Sequence, residues 1–161
     1  MSGSDRAAPD EVFQRALDLL ARRDHSVAEL KRKLVSRGFS DILVADTLER
    51  LNRQGYLDDR RFAERWAESA LRSGKGFGIR LLLELQRRGV DRGIAAEAVA
   101  KASSEHGEQQ LLAAVVGKRF SSFDPASAPL KERKRVYAYL QRRGFSLSAI
   151  IAYFSSDSEE E

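Results

Sequence analysis

One phrase is written three times in this chain. Residues 34–39 read LVSRGF, residues 85–90 read LQRRGV and residues 140–145 read LQRRGF. Gly38, Gly89 and Gly144 are 51 and 55 residues apart, and each follows an arginine (Arg37, Arg88, Arg143) and, four positions back, a leucine (Leu34, Leu85, Leu140). After each glycine come an apolar residue (Phe39, Val90, Phe145) and then a helix-capping residue (Ser40, Asp91, Ser146). Apolar residues return six and ten positions on, as Val44 and Leu48, Ala95 and Val99, Ile150 and Phe154. A fixed period of this length marks one supersecondary unit used repeatedly. Glycine fits the turn because it alone enters the left-handed backbone region without a side-chain clash.

The flanking pattern is helical throughout, with strand alternation nearly absent. Val12, Phe13, Ala16, Leu17 and Leu20 make the first apolar stripe. Ser26, with Glu29 three residues on, has the spacing of a capping box that opens a second helix. Ser40 or Asp41 caps a third, which stops near Gly55. The plan restarts at Asp58 or Asp59, passes the loop SGKGFG at residues 73–78, and continues through Leu82 and Leu85 to Gly89; Asp91 caps the next helix. It restarts again through Leu111, Leu112, Val115 and Val116, crosses the two-proline loop at residues 121–129, and ends in helices carrying Val136, Tyr137 and Leu140, then Leu147, Ile150, Ile151 and Phe154.

A three-helix unit of this size buries too little area to stand securely alone, so stacked copies are expected to cover one another's faces. The expected fold is all-α: an elongated, curved array of three tandem three-helix repeats. Their bounds are residues 10–57, 58–103 and 104–154, after a disordered lead-in at 1–9 and before an acidic disordered tail at 155–161.

The absence of cysteine removes disulfides and thiolate metal sites. His25 and His106 lie far apart and read as ordinary solvated histidines, so no metal is expected. No apolar run approaches the length of a membrane span, and no signal-peptide core is present. SGKGFG lacks phosphate-loop spacing and joins two helices, which makes it a flexible connector. Asp58 and Asp59 read as caps and helix-dipole partners. Trp66 reads as core, and Tyr137 and Tyr139 cannot both face one core. No catalytic set emerges and no cofactor is implied.

Charge is the remaining signal. The net charge is +4, but Asp157, Glu159, Glu160 and Glu161 crowd the end; without them 28 basic side chains face 20 acidic ones, a net +8. A body this basic suits a polyanion or an acidic protein surface. Lys31, Arg32 and Lys33 fall in the second helix of the first repeat, and Lys131, Arg133, Lys134 and Arg135 in that of the third. The middle repeat offers Arg72, Lys75 and Arg80. Arg37, the Arg87–Arg88 pair and the Arg142–Arg143 pair stand at the three turns. Cations in a last helical turn favour the helix dipole whatever else they do. Their recurrence on equivalent elements makes all fifteen candidate partner-binding residues. The acidic end reads as a solvating tail, with competition for the basic surface as a second reading.

The stretch GYLDDRRFAERWAESALRSGKGFG followed by ELQRRGV, within residues 55–90, resembles the RecX family, bacterial regulators of the recombinase RecA. The family phrase L-D-D-x-R-F-A is matched by Leu57, Asp58, Asp59, Arg61, Phe62 and Ala63, and E-L-x-x-[KR]-G-[VI] by Glu84, Leu85, Arg88, Gly89 and Val90. Residues 19–40 resemble the family's opening, and the likeness runs over about residues 12–154, weaker in the third repeat. Ile79 stands where the family usually has proline, and Leu81, Leu82 and Leu83 crowd where basic residues are usual, so this helix is expected to be more buried here. The resemblance implies a cytoplasmic, monomeric, non-enzymatic regulator acting in homologous recombination, DNA repair and the SOS response. It would bind RecA and its filament on single-stranded DNA, with weak direct DNA binding possible. It would inhibit filament extension, ATPase, strand exchange and coprotease activity by occupying an interface. The alternative from charge alone is a helical nucleic-acid-binding protein with no dedicated protein target.

Overall fold

The computed structural model describes residues 8–156. The expected lead-in and acidic tail lie, over residues 1–7 and 157–161, outside them. Among the described residues there are nine helices and no strand: α1 (Pro9–Arg22), α2 (Val27–Ser36), α3 (Asp41–Arg53), α4 (Asp59–Arg72), α5 (Ile79–Arg87), α6 (Arg92–Glu105), α7 (Glu108–Arg119), α8 (Leu130–Arg142) and α9 (Leu147–Ser155). Proline opens α1, where its missing N–H is no loss, and Asp10 and Glu11 sit in that first turn. Ser26, Ser40 and Ser146 cap α2, α3 and α9 by accepting the backbone N–H of Glu29, Leu43 and Ala149. Asp58 caps α4 through Arg61 N–H, and Asp91 caps α6 through Gly93 and Ile94 N–H.

The repeated phrase is a helix stop. Gly38, Gly89 and Gly144 have φ of 91°, 83° and 91°. In each copy the N–H after the glycine returns to the carbonyl of the leucine four residues before it: Phe39 to Leu34, Val90 to Leu85, Phe145 to Leu140. That bond closes the last turn and satisfies a carbonyl the helix leaves orphaned. Leu34, Leu85 and Leu140 are fully buried, so each leucine anchors the turn it helps to tie.

Two compact units emerge. One comprises the described residues up to Ala63 together with Leu85–Ala95. Its core is built by Val12, Ala16 and Leu19 of α1, Leu30 and Leu34 of α2, and Val44, Leu48 and Leu51 of α3. The second comprises Glu64–Glu84 and the described residues from Ala96 onward. Leu112 and Val116 of α7, Val136 and Leu140 of α8, and Phe145 and Ile150 fill its core.

The fold departs from the sequence pattern at several residues. His25 is buried (3 % exposed) rather than solvated. The capping box at α2 is half formed, because the Glu29 carboxylate takes Arg23 and Arg88 instead of reaching back to Ser26. Trp66, read as core, is half-buried. Tyr137 and Tyr139 are both half-buried against the second core, and an aromatic ring can flank a core without entering it. α5 is amphipathic rather than sunk: Leu81 and Leu85 are buried, while Ile79 and Leu83 are 59 % and 53 % exposed. SGKGFG is pinned rather than loose, with Phe77 N–H donating to the Arg143 carbonyl at 2.7 Å.

Candidate protein-binding surface

Each cation has to be placed by what its helix and turn do with it. In the first unit, Glu29 lies nearly buried on α2 and meets Arg23 at 2.8 Å and Arg88 at 3.2 Å. Arg32, Lys33 and Ser36 complete a cleft of about 460 Å³ around these three. Arg88 is thus partly a structural cation. Lys31 and Arg37 are exposed and do not line this cleft, nor does Arg87.

Asp59 shows why adjacent carboxylates at a helix start need not form a chemical pair. Asp58 caps its own helix, whereas Asp59 accepts the N–H of Val27 at 2.8 Å and so ties α4 to the start of α2. Burial raises the Asp59 carboxyl above its ordinary value, and the Val27 hydrogen bond opposes that rise.

His25 donates through Nδ1 to the Arg23 carbonyl at 2.9 Å, and Nε2 is buried without a hydrogen-bond partner among the described residues. Burial first, and the Arg23 charge second, lower its pKa, so the neutral ring is the favoured form.

In the second unit, Arg80 donates to the Arg142 carbonyl at 2.7 Å and Arg143 to the Lys75 carbonyl at 2.9 Å. These bonds hold the loop after α4 and the start of α5 against the end of α8 and its turn. Arg72, Lys75 and Arg143 line one cleft of about 460 Å³ with Lys118 and Arg119 at the end of α7. Its apolar lining is Leu71, Leu111, Ala114, Val115 and the ring of Tyr139. Arg143 and Arg119 stand 5.0 and 5.9 Å from that ring's centroid, and Phe120 meets it edge-on at 5.2 Å. A shallower cleft of about 360 Å³ gathers Arg133 and Lys134 with Tyr137, Ile151 and Phe154. Lys131, Arg135 and Arg142 are exposed and line none of these three clefts; Arg135 stands over Phe120.

Lys118 and Arg119 escaped the sequence reading because they do not precede a repeated glycine. Their only signal was position in the last turn of a helix.

Among the described residues, one trio has metal-ligand geometry: Glu68, Glu105 and His106, with ligand atoms within 4.8 Å of one another. The Glu68 carboxylate is already engaged by His106 at 2.9 Å and by Arg72 at 3.0 Å. The His106 hydrogen bond is the main cause of its lowered pKa. A cation held there would replace the His106–Glu68 hydrogen bond, with His106 as one of its ligands. No helix among the described residues is long and apolar enough to cross a membrane.

Comparison with known proteins explains the threefold plan. The first, second and third three-helix domains of RecX match residues 13–51, 58–99 and 107–154, in that order. The chain belongs to the RecX family. Regulatory protein RecX of Trichlorobacter lovleyi is 35% identical over 154 residues, covering 96% of this chain and 99% of that protein. Its counterpart in Halorhodospira halophila is 37% identical over 155 residues, covering 96% and 93%. The crystal structure of RecX from Lactobacillus salivarius has the same fold, with a TM-score of 0.70 at 18% identity over 92% of this chain and 95% of that one. A second RecX crystal structure gives a TM-score of 0.74 at 22% identity, covering 92% of this chain and 73% of that one. RecX relatives carry the name of regulatory proteins, and three tandem three-helix domains are the plan this chain shares with them.

Proposed function

We propose that this chain is a regulator that binds RecA, or the filament RecA forms on single-stranded DNA, and restrains it by occupying an interface. The observation that carries the reading is the ordered match of all three RecX domains over most of the chain. The cationic clefts support it, because they suit an acidic protein surface or nearby phosphates. Binding would act as a block: filament extension, ATPase, strand exchange and coprotease activity would all fall, with no bond made or broken by this protein. That reading makes it a non-enzymatic cytoplasmic monomer working in recombination, repair and the SOS response. The fifteen cations named from the sequence are its proposed contact set, carried on modules at residues 10–57, 58–103 and 104–154.

The deciding experiment is RecA ATPase on single-stranded DNA, titrated with this protein in filaments formed beforehand and during assembly. Inhibition in both, or during assembly alone, supports the reading; an unchanged rate in both ends it. The rival, a nucleic-acid-binding protein with no protein target, draws on the basic body. It is weakened by α6, which buries Ala95, Ala98, Val99 and Ala102 and turns Ala96 and Ala100 outward. Reading base edges needs polar side chains at such positions. A pull-down of RecA that survives nuclease treatment separates the two.

A further inference from the structure

We infer that the cleft between α4, α7 and α8 is a docking site for an acidic protein segment that inserts one bulky apolar side chain, an inference that rests on the regulatory reading above and gives it a chemical address. Five cations line the cleft: Arg72, Lys75, Lys118, Arg119 and Arg143. No carboxylate is among its lining residues. Of the five, Arg72 shares its charge with Glu68 at 3.0 Å, and Arg143 spends a hydrogen bond on the Lys75 carbonyl. Lys75, Lys118 and Arg119 are exposed at the rim. A cationic rim in a chain that carries 24 acids is a local departure from the mixed surface expected of a small soluble domain.

The floor distinguishes between anionic partners. A single-stranded nucleic acid is held by an electropositive groove together with aromatic faces on which bases stack. Here the one aromatic residue of the lining, Tyr139, already has Arg143 and Arg119 near its ring and Phe120 against it edge-on. The rest of the floor is aliphatic: Leu71, Leu111, Ala114 and Val115. An aliphatic floor of about 460 Å³ offers nothing to a flat polar base but takes a leucine or phenylalanine side chain. Carboxylates on either side of that anchor meet the rim. Anchor in a pocket, charges at the edge, is how a short segment gains residence time from burial and association rate from charge.

Gly74 sets the width. It closes α4 at φ 69°, and a Cβ there would press on the Val115 side chain at 3.1 Å. The cleft is therefore shaped by a backbone position that tolerates little else.

The test uses the full chain and a fluorescent peptide with a central leucine flanked by glutamates, read by anisotropy. The peptide should bind. Exchanging its leucine for glycine, at constant charge, should weaken binding about tenfold. The double variant Lys118→Gln and Arg119→Gln, both on exposed positions, should weaken it by about tenfold as well, with an unaltered helical circular dichroism spectrum. Ala114→Trp, which fills the floor from an exposed helix position, should do the same. No binding, equal binding of the glycine peptide, or indifference to all three substitutions would overturn the inference. So would oligothymidylate of equal charge binding more tightly and losing more in the Lys118→Gln, Arg119→Gln protein, which would assign the cleft to nucleic acid. Because the peptide is read without RecA, the two ideas fail separately: wild-type protein that leaves RecA ATPase unchanged sinks the proposed function, whereas a silent peptide sinks only the docking site.

Discussion

The Ser26 hydroxyl donates to the Arg88 carbonyl, 62 residues away in sequence. The same carbonyl in the third copy of the repeated phrase, that of Arg143, accepts from Phe77 N–H. In both cases the arginine before the turn glycine is latched by its backbone to the start of the second helix of the preceding module. The first copy precedes every other module, and its Gly38 has nothing within 4 Å of where a Cβ would stand. At Gly89 a Cβ would overlap that of Ala28, and at Gly144 it would overlap the Phe77 carbonyl. One sequence phrase therefore does two jobs, stopping a helix three times and joining neighbouring modules twice.

The glycines are accordingly expected to differ. Gly38→Ala should cost about 1–2 kcal/mol, the strain of a left-handed non-glycine residue. Gly89→Ala and Gly144→Ala should cost a further ~1–3 kcal/mol each, because overpacking is added to strain. Ala28→Gly should restore part of the loss at Gly89, since the obstacle there is a methyl group, and nothing comparable can rescue Gly144, where the obstacle is backbone. Urea denaturation of the single and double variants measures this, and equal losses at all three glycines would refute the latch.

Glu29 carries a second expectation. Its carboxylate is nearly buried and meets two guanidiniums, while the Arg23 and Arg88 side chains keep 48% and 36% exposure. Removing one member of a fully buried pair costs roughly 3–5 kcal/mol, and partial solvation of the two arginines lowers that to about 2 kcal/mol for Glu29→Ala. Arg23→Ala, which leaves Glu29 with Arg88, should cost clearly less. Denaturation midpoints at low and moderate salt decide it; a loss for Arg23→Ala as large as that for Glu29→Ala would contradict this ranking.

Much of this is legible in the sequence, for reasons the residues make plain. Leu34–Gly38, Leu85–Gly89 and Leu140–Gly144 write local hydrogen bonding in local sequence, so the stops, the caps at Ser26, Ser40, Asp91 and Ser146, and the three-helix plan can be read directly. What could not be read is tertiary. Nothing near His25 says that it is buried, since its surroundings come from packing. Nothing near Glu29 distinguishes a capping box from a carboxylate taken by Arg88. The clefts were legible only as a surplus of charge: Arg72 and Lys75 precede Lys118 and Arg119 by more than forty residues, and only the fold brings them together. The apolar run Leu81–Leu83 suggested burial by composition, yet helical geometry sends neighbours to different faces.

Acid should weaken the fold through His25. Its pKa is lowered in the folded protein from an ordinary 6.5, chiefly by burial and then by the Arg23 charge, with Lys33 acting the same way and Glu29 opposing. The unfolded chain then binds the proton more readily, so the stability His25 contributes is present above pH 6.5 and is lost as pH falls below it. Asp59, with its pKa raised by burial, acts with the opposite sign, in a window just above 3.8. Stability should therefore fall between pH 7 and pH 5.5, and His25→Asn, which keeps a donor for the Arg23 carbonyl, should flatten that fall. Urea midpoints across the range provide the check, and parallel curves for the two proteins would exclude His25 as the cause.

α5 offers a contrast within one apolar run. Leu81→Ala and Leu85→Ala each remove a fully buried side chain and should cost about 3 kcal/mol. Ile79→Lys and Leu83→Lys alter exposed positions and should stay within about 0.5 kcal/mol of the parent. Thermal unfolding of the four variants tests the assigned faces, and a large loss for Leu83→Lys would show that this surface is covered in solution.

The cluster at Lys31, Arg32 and Lys33 bears on how the proposed partner is met. Lys31 and Arg32 are exposed, and Lys33 is half-buried at the cleft around Glu29. Exposed charges of one sign act over about a Debye length, roughly 10 Å at 0.1 M salt, so they bias encounter more than they hold a formed complex. Exchanging all three for glutamine should slow association with RecA filaments by about tenfold at low salt and flatten its dependence on ionic strength, with dissociation little changed. Association rates measured over a salt series give the answer directly. A salt slope identical to that of the parent would remove this cluster from the contact set, while leaving the cleft at Lys118 and Arg119 to be judged by its own peptide.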